Sequence, residues 1–319
     1  MAELATRLTE RLGLTAPILC APMAFVTGGR LAAAVSAAGG LGLIGGGYGD
    51  TAFVEAAFRE AGNARVGCGF ITWRLAADPS ALHAALAHAP SAVMLSFGDP
   101  APFAPTIKAA GATLICQVQD RAGAEAAAAA GADVIVAQGA EAGGHGATRA
   151  TMTLVPEVRD LLGSDALLVA AGGIADGRGL AAALALGADG VLMGSRFWAA
   201  AEALTHPRHQ DAGVAATGDA TVRQRATDIA RGYDWPAPYT ARVLRNAFVS
   251  RWEGDPAGHR AIADDARDAY TAGFAAGDTE DVGVFVGEAA GLIHDVAPAA
   301  EIVARTVAEA EAVLSALPR

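Results

Sequence analysis

The sequence predicts a closed (β/α)8 barrel, on three observations. Eight short apolar runs recur at intervals of roughly 20 to 30 residues, the length of one strand and its crossover helix. Each run is continuously apolar, not alternating, as in parallel strands covered on both faces. Ala-rich amphipathic segments fill the gaps, and several close on Ala-Gly or Gly-Ala-Asp, with glycine where a helix turns left-handed before the next strand. An open doubly wound sheet is the competing arrangement, but eight such units in a row indicate closure.

The strands are read at PILCAPM from Pro17, LGLIGG from Leu41, RVGCGFI from Arg65, AVMLSFG from Ala92, ATLICQV from Ala112, DVIVAQG from Asp133, ALLVAAGG from Ala166 and DGVLMGS from Asp189. Helices such as TAFVEAAFREAG, RAGAEAAAAAG and GRGLAAALALG lie between them. After Trp198 the pattern changes. Residues 206–290 read as a helical insertion or lid subdomain over the mouth of a barrel formed by residues 1–205, and 291–319 as a closing segment whose helix, Ala299 to Leu317, packs back on the barrel wall. The arginines of the insertion, Arg223, Arg225, Arg231, Arg242, Arg245 and Arg251, could bind an anionic substrate. A solvated helix face paired with local acids is the favoured reading.

Hydrophobic residues make up 53% of the chain and charged ones 18%, enough for a large core and unlike a disordered chain. A net charge of −11 leaves no dense basic face for nucleic acid. Cys20, Cys68 and Cys116 form no CxxC and sit inside apolar runs, so they read as buried free thiols of a reducing, cytoplasmic setting. The N-terminal stretch has no apolar core of a signal peptide. Leu31 to Gly49 is uncharged but broken by seven glycines, and fits a helix, turn and buried strand better than a membrane span. No metal set is expected from the seven scattered histidines. His83 and His88 read as exposed on one helix, and His206 and His209 as surface residues of a Pro-containing turn.

The candidate site gathers at the carboxyl ends of the strands, where such barrels build their sites. Gly40, Gly42 and Gly45 satisfy GxGxxG, yet they lie before and within a strand, so no dinucleotide loop is inferred. AGGIADGRG after the seventh strand, with Gly172 and Gly173, and MGSRF after the eighth, with Gly194 and Ser195, are different. Unpaired amides in those two loops make a phosphate site. Ala21, Pro22 and Met23 end the first strand with a rigid backbone and an adaptable apolar side chain suited to a flat ring. Gln117 ends the fifth and offers both donor and acceptor. The sixth strand runs into DVIVAQGAEAGGHGAT, whose four glycines surround Glu141 and His145. His145 is read as catalytic, a titratable imidazole where the backbone can approach a ligand closely.

APM, EAGGH, AGGIADGRG and MGSRF together resemble the nitronate monooxygenases, formerly called 2-nitropropane dioxygenases, which are FMN-dependent TIM barrels. TVRQRATDIARGYDWPAPYTARVLRN and GEAAGLIHDVAPAAEIV extend the resemblance over nearly the whole chain. It implies that Ala21, Pro22 and Met23 meet the isoalloxazine edge, Gln117 the ring or ribityl region, and Gly144 the flavin. Gly172, Gly173, Gly194 and Ser195 would take the FMN phosphate, and His145 would be catalytic. Where relatives often carry Asn in the third strand this chain has Gly69, which removes an amide and is read as leaving space for the cofactor.

The resemblance implies oxidation of an alkyl nitronate, with O2, to a carbonyl compound and nitrite. His145 would remove the α-proton of a neutral nitroalkane or hydrogen-bond an ionised one. An NAD(P)H-dependent flavin reductase acting on a quinone or enoyl thioester, and a non-catalytic phosphate-ligand barrel, are the alternatives. The inosine monophosphate dehydrogenase class is excluded because the loop after strand six has no cysteine nucleophile. Oligomeric state is left open, a homo-oligomer included.

Overall fold

A computed structural model describes residues 4–164 and 166–316. The barrel strands are β1 (Ile18–Cys20), β2 (Leu41–Gly47), β3 (Gly67–Ile71), β4 (Ala92–Ser96), β5 (Thr113–Val118) and β6 (Val134–Gln138). A short strand, β7 (Gly144–Gly146), intervenes before β8 (Leu167–Ala171) and β9 (Gly190–Met193). The sheet closes in the order β1-β2-β3-β4-β5-β6-β8-β9, every neighbour parallel, with β9 returning to β1 through Cys20 opposite Met193. This is a TIM barrel, and all eight predicted runs supply its strands.

Continuous apolarity follows from burial on both sides. Leu19, Leu43, Met94, Ile115, Val136, Val169 and Leu192 fill the interior, and Leu8 and Leu12 of the Arg7–Leu12 helix join the same cluster. Ile18, Ile44, Val93, Leu114, Ile135 and Leu168 meet the helices outside. Cys20, Cys68 and Cys116 belong to this outer cluster, where burial pushes their thiols up and leaves them unreactive. The two Gly-Ala-Asp corners are functional in register: Asp133 Oδ2 accepts from Leu114 N–H and Asp189 Oδ2 from Leu168 N–H, each at 2.8 Å.

Leu31 to Gly49 folds as the helix Gly29–Ala37 followed by β2, and no described helix is long and apolar enough to cross a membrane. The glycines of the discounted GxGxxG are needed for packing. A Cβ at Gly42 would collide with the Ala32 carbonyl, and one at Gly45 with the Met23 carbonyl. The helix Ala299–Ala316 packs on the helices Gly177–Ala185 and Gly29–Ala37. Leu317, expected as its last residue, lies outside the described residues.

Residues 206–290 contain the helices Pro207–Ala215, Ala226–Arg231, Ala247–Trp252 and Pro256–Ala276, and also two strands the sequence pattern did not reveal. These are β10 (Thr221–Gln224) and β11 (Thr240–Leu244), which form an antiparallel sheet in the order β10-β11-β7. The segment that follows β6 is therefore captured as an edge strand, with His145 opposite Ala241 and Gly144 opposite Arg242.

A Cβ at Gly69 would collide with the Pro22 ring. Gly69→Asn is expected to destabilise the fold by about 1–3 kcal/mol, the usual cost of overpacking, read as a lower urea midpoint. An unchanged midpoint would show that Pro22 can move aside.

Candidate active site

The carboxyl ends of the barrel strands open into one cavity, and every site residue expected from the sequence lines it. Ala21, Pro22 and Met23 follow β1, Gln117 lies on β5, and Gly144 and His145 lie on β7. Gly172 and Gly173 follow β8, and Gly194 and Ser195 follow β9. The first segment is braced by Thr27, whose hydroxyl donates to Ala21 O at 2.9 Å and accepts from Met23 N–H at 3.2 Å. Gly69 also lines the cavity, but the space it leaves is filled by Pro22, which corrects its reading as room for a cofactor.

After β8, Gly172 and Gly173 have φ of 100° and 74°, the left-handed region that favours glycine. Gly194 caps the short helix Ser195–Trp198. No protein acceptor takes the backbone N–H of Gly172, Gly173 or Gly194 among the described residues. The Ser195 hydroxyl accepts from Gly287 N–H at 2.9 Å and keeps its own proton to donate. Three amides without a protein acceptor among the described residues and a hydroxyl proton therefore lie on two adjacent loops lining one cavity, a donor set suited to an anion. The Glu141 carboxylate is held by the Thr151 N–H at 3.0 Å and hydroxyl at 2.9 Å, which fixes where its oxygens point.

His145 lies on the loop after β6, the strand that neighbours β8, under tight control. Its Nε2 lies 2.9 Å from Asp228 Oδ1, and its ring stacks on Trp235 at 3.5 Å between centroids and 7° between planes. The Gln138 amide donates to His145 O at 3.0 Å, and Gln119 donates in turn to Gln138 at 2.9 Å. Burial holds the imidazole below its ordinary range, although the Asp228 hydrogen bond and charge pull the other way. The ring is neutral at pH 7, and with a carboxylate facing Nε2 the proton resides there. Nδ1 is left as a lone-pair acceptor with no protein partner among the described residues.

Asp228, Gln138, Gln119 and Trp235 were not identified from the sequence. Asp228 and Trp235 lie in the insertion, with Asp228 83 residues from the histidine it orients, and nothing local marks either. Gln138 had a signal, since it ends its strand with an amide and Gln117 lies one residue short of the end of β5.

Several readings are corrected. His209 is buried, its Nε2 2.7 Å from Asp278 O, and with His206 it lines the cavity instead of the surface. The arginines do not form one solvated helix face. Arg223 on β10 donates to Ala140 O at 3.1 Å and Ala142 O at 3.2 Å, and burial lowers it to about 10. Arg242 on β11 donates to the same Ala140 O at 3.1 Å and pairs with Glu288 at 2.7 Å. Both pin the loop that carries the histidine. Arg225 reaches the Trp235 and Tyr239 carbonyls at 3.3 Å. Only Arg245 with Glu253 and Arg251 with Asp281 behave as expected. His83 and His88 are exposed, as read, and no three His, Cys, Asp or Glu side chains cluster to hold a metal among the described residues.

A family model described as nitronate monooxygenase matches residues 5–66 and 72–309. The nitronate monooxygenase npaC of Metarhizium robertsii is 37% identical over 94% of this chain and 92% of its own. Among solved structures, FabK from Thermotoga maritima superposes with a TM-score of 0.86 at 31% identity, covering 98% of each chain. Nitroalkane oxidase from Streptomyces ansochromogenes gives 0.79 at 28% identity, over 98% of this chain and 99% of its own. With a TIM barrel, a cavity at its carboxyl mouth and the family match along almost all of its length, this chain is an oxidoreductase that belongs to the nitronate monooxygenase family.

Proposed function

We propose that this chain is an FMN-dependent nitronate monooxygenase that, in the cytoplasm, oxidises alkyl nitronates with O2 to a carbonyl compound and nitrite. The observation that carries the reading is the His145–Asp228 pair facing the same cavity as the unpaired amides after β8 and β9. Gly172, Gly173, Gly194 and Ser195 hold the FMN phosphate. Ala21, Pro22 and Met23 meet the edge of the flat ring, Gln117 offers its amide to the ring or ribityl chain, and Gly144 lets the backbone approach the flavin. When bound, FMN supplies the redox chemistry, accepting electrons from the nitronate and passing them on to O2.

His145 serves the proton. With Nε2–H committed to Asp228, Nδ1 is the free lone pair, so the residue acts as a base toward the α-carbon of a nitroalkane. Asp228 acts through the histidine as a positioning residue, fixing the tautomer and stabilising the imidazolium once the proton is taken. Trp235 stacked on the ring excludes water from one face, and the Gln119–Gln138 chain fixes the backbone beneath it.

His145→Ala is expected to retain FMN and lose about 10²–10⁴-fold in turnover of a nitroalkane. Unaltered turnover would remove His145 from the reaction. The rate with a nitroalkane should rise with pH as the imidazole loses its proton, with an inflection below about 6.5. Because the Asp228 hydrogen bond and charge hold that pKa up, Asp228→Asn should move the inflection to still lower pH. An inflection that stays put or moves up would contradict the pairing. At Gly194, whose φ is ordinary and where a Cβ meets nothing closer than 3.7 Å, Gly194→Ala should fold normally and bind FMN at least about tenfold more weakly. Undiminished FMN binding would place the phosphate elsewhere.

Anaerobic mixing tests the whole reading. A nitronate should bleach the bound flavin and NADPH should not. The reverse result would assign the cavity to an NAD(P)H-dependent reductase of quinones or enoyl thioesters, and a protein that takes up no FMN would be a non-catalytic barrel.

A further inference from the structure

Five of the six arginines between residues 223 and 251 end on carbonyl or carboxylate oxygens, and Arg231 does not. It closes the helix Ala226–Arg231, one turn after Asp228, and it is the only Arg or Lys that lines the active-site cavity among the described residues. Its guanidinium carbon lies 4.7 Å from the ring centroid of Tyr233, 5.3 Å from Tyr48, 5.5 Å from Phe285 and 5.6 Å from Phe25. None of its side-chain N–H groups meets a protein acceptor among the described residues, and none is buried away from solvent.

Ring faces attract the cation and hold its plane, but they are poor substitutes for the oxygen acceptors that a guanidinium's N–H groups require. The fork is therefore fixed in place and left with donors to spare. Its planar, paired N–H groups match an anion that presents two oxygens in one plane. His145 cannot do this work, because it is neutral and its free nitrogen carries a lone pair that repels an anionic oxygen. Phe285 links the two groups, with its ring 6.5 Å from that of His145 and beneath Arg231.

We propose that Arg231 recognises the charge of the substrate, holding it as the planar nitronate anion through its two nitro oxygens while His145 faces the carbon. This rests on the nitronate reading of the cavity. It makes the enzyme selective for the anion over the neutral nitroalkane, and where a nitroalkane is deprotonated at His145 it retains the nitronate formed.

Nitrate, a planar monoanion, is the probe. It is titrated against the FMN-loaded enzyme at constant ionic strength, with binding followed by the flavin spectrum, alongside KM for ethyl nitronate and for neutral nitroethane. Arg231→Met is expected to weaken nitrate and raise KM for ethyl nitronate by about 10–100-fold, with FMN affinity and KM for nitroethane nearly unchanged. Arg231→Lys, which keeps the charge but not the planar fork, should fall between. Arg231→Gln takes the place of the Met variant should that one fail to fold. Nitrate bound equally well by the neutral variants, no nitrate binding by the wild type, or a loss confined to FMN affinity would each overturn the proposal. Arg231-dependent nitrate binding by an enzyme that oxidises no nitronate would support the anion site and overturn the nitronate reading instead.

Discussion

The hydrogen bond between His145 Nε2 and Asp228 Oδ1 joins the two parts of the molecule on which the site depends. The histidine comes from the loop after a barrel strand and the aspartate from the insertion, 83 residues later. A loop with four glycines would not hold an imbalanced, buried imidazole by itself, since glycine loses more conformational freedom on ordering than any other residue. The order is imposed from outside, by pairing of β7 with β11 and by Arg223 and Arg242 gripping the carbonyl of Ala140. The insertion is thus a wall of the active site as much as a cover. The Asp228 carboxylate has no other hydrogen-bond donor among the described residues, so the imidazole is its one hydrogen-bonded partner there.

The loops after β8 and β9 are built differently. There the polar groups are backbone amides, and their availability comes from conformations that side chains disfavour, at Gly172 and Gly173. One part of the cavity therefore presents backbone dipoles, and another a buried imidazole held by a carboxylate. Aromatic rings gather beside the histidine: Trp235 lies on His145 and donates its indole N–H to Tyr48, and Tyr48 stacks on Tyr233 at 3.9 Å. Such contacts are individually worth about 0.5–1.5 kcal/mol, and together they brace the rings that line this part of the cavity.

The barrel was legible because its physics is local and repeated: each strand is buried on both faces, and each helix ends on a residue that turns the chain. The glycine clusters were legible for a related reason, since position in the repeat gives their place at the mouth. The insertion was not. Its strands are four and five residues long, and β10 carries Thr221, Arg223 and Gln224 where a buried strand would be apolar. Arg223 and Arg242 looked solvated because the carbonyls they satisfy belong to a distant loop. His209 looked like a turn residue because its partner, Asp278 O, is 69 residues away. Gly69 shows the limit of reading a missing side chain, for its space belongs to Pro22.

As proposed, one cavity holds an anion on the amides after β8 and β9 and sets the attached ring within reach of a neutral imidazole. A crystal structure of the FMN-loaded protein tests it most directly. The account predicts the phosphate within hydrogen-bonding distance of the Gly172, Gly173 and Gly194 amides, and the flavin ring against Met23 with His145 still bonded to Asp228. A phosphate seated elsewhere, or a histidine turned away from both the ring and the aspartate, would contradict it.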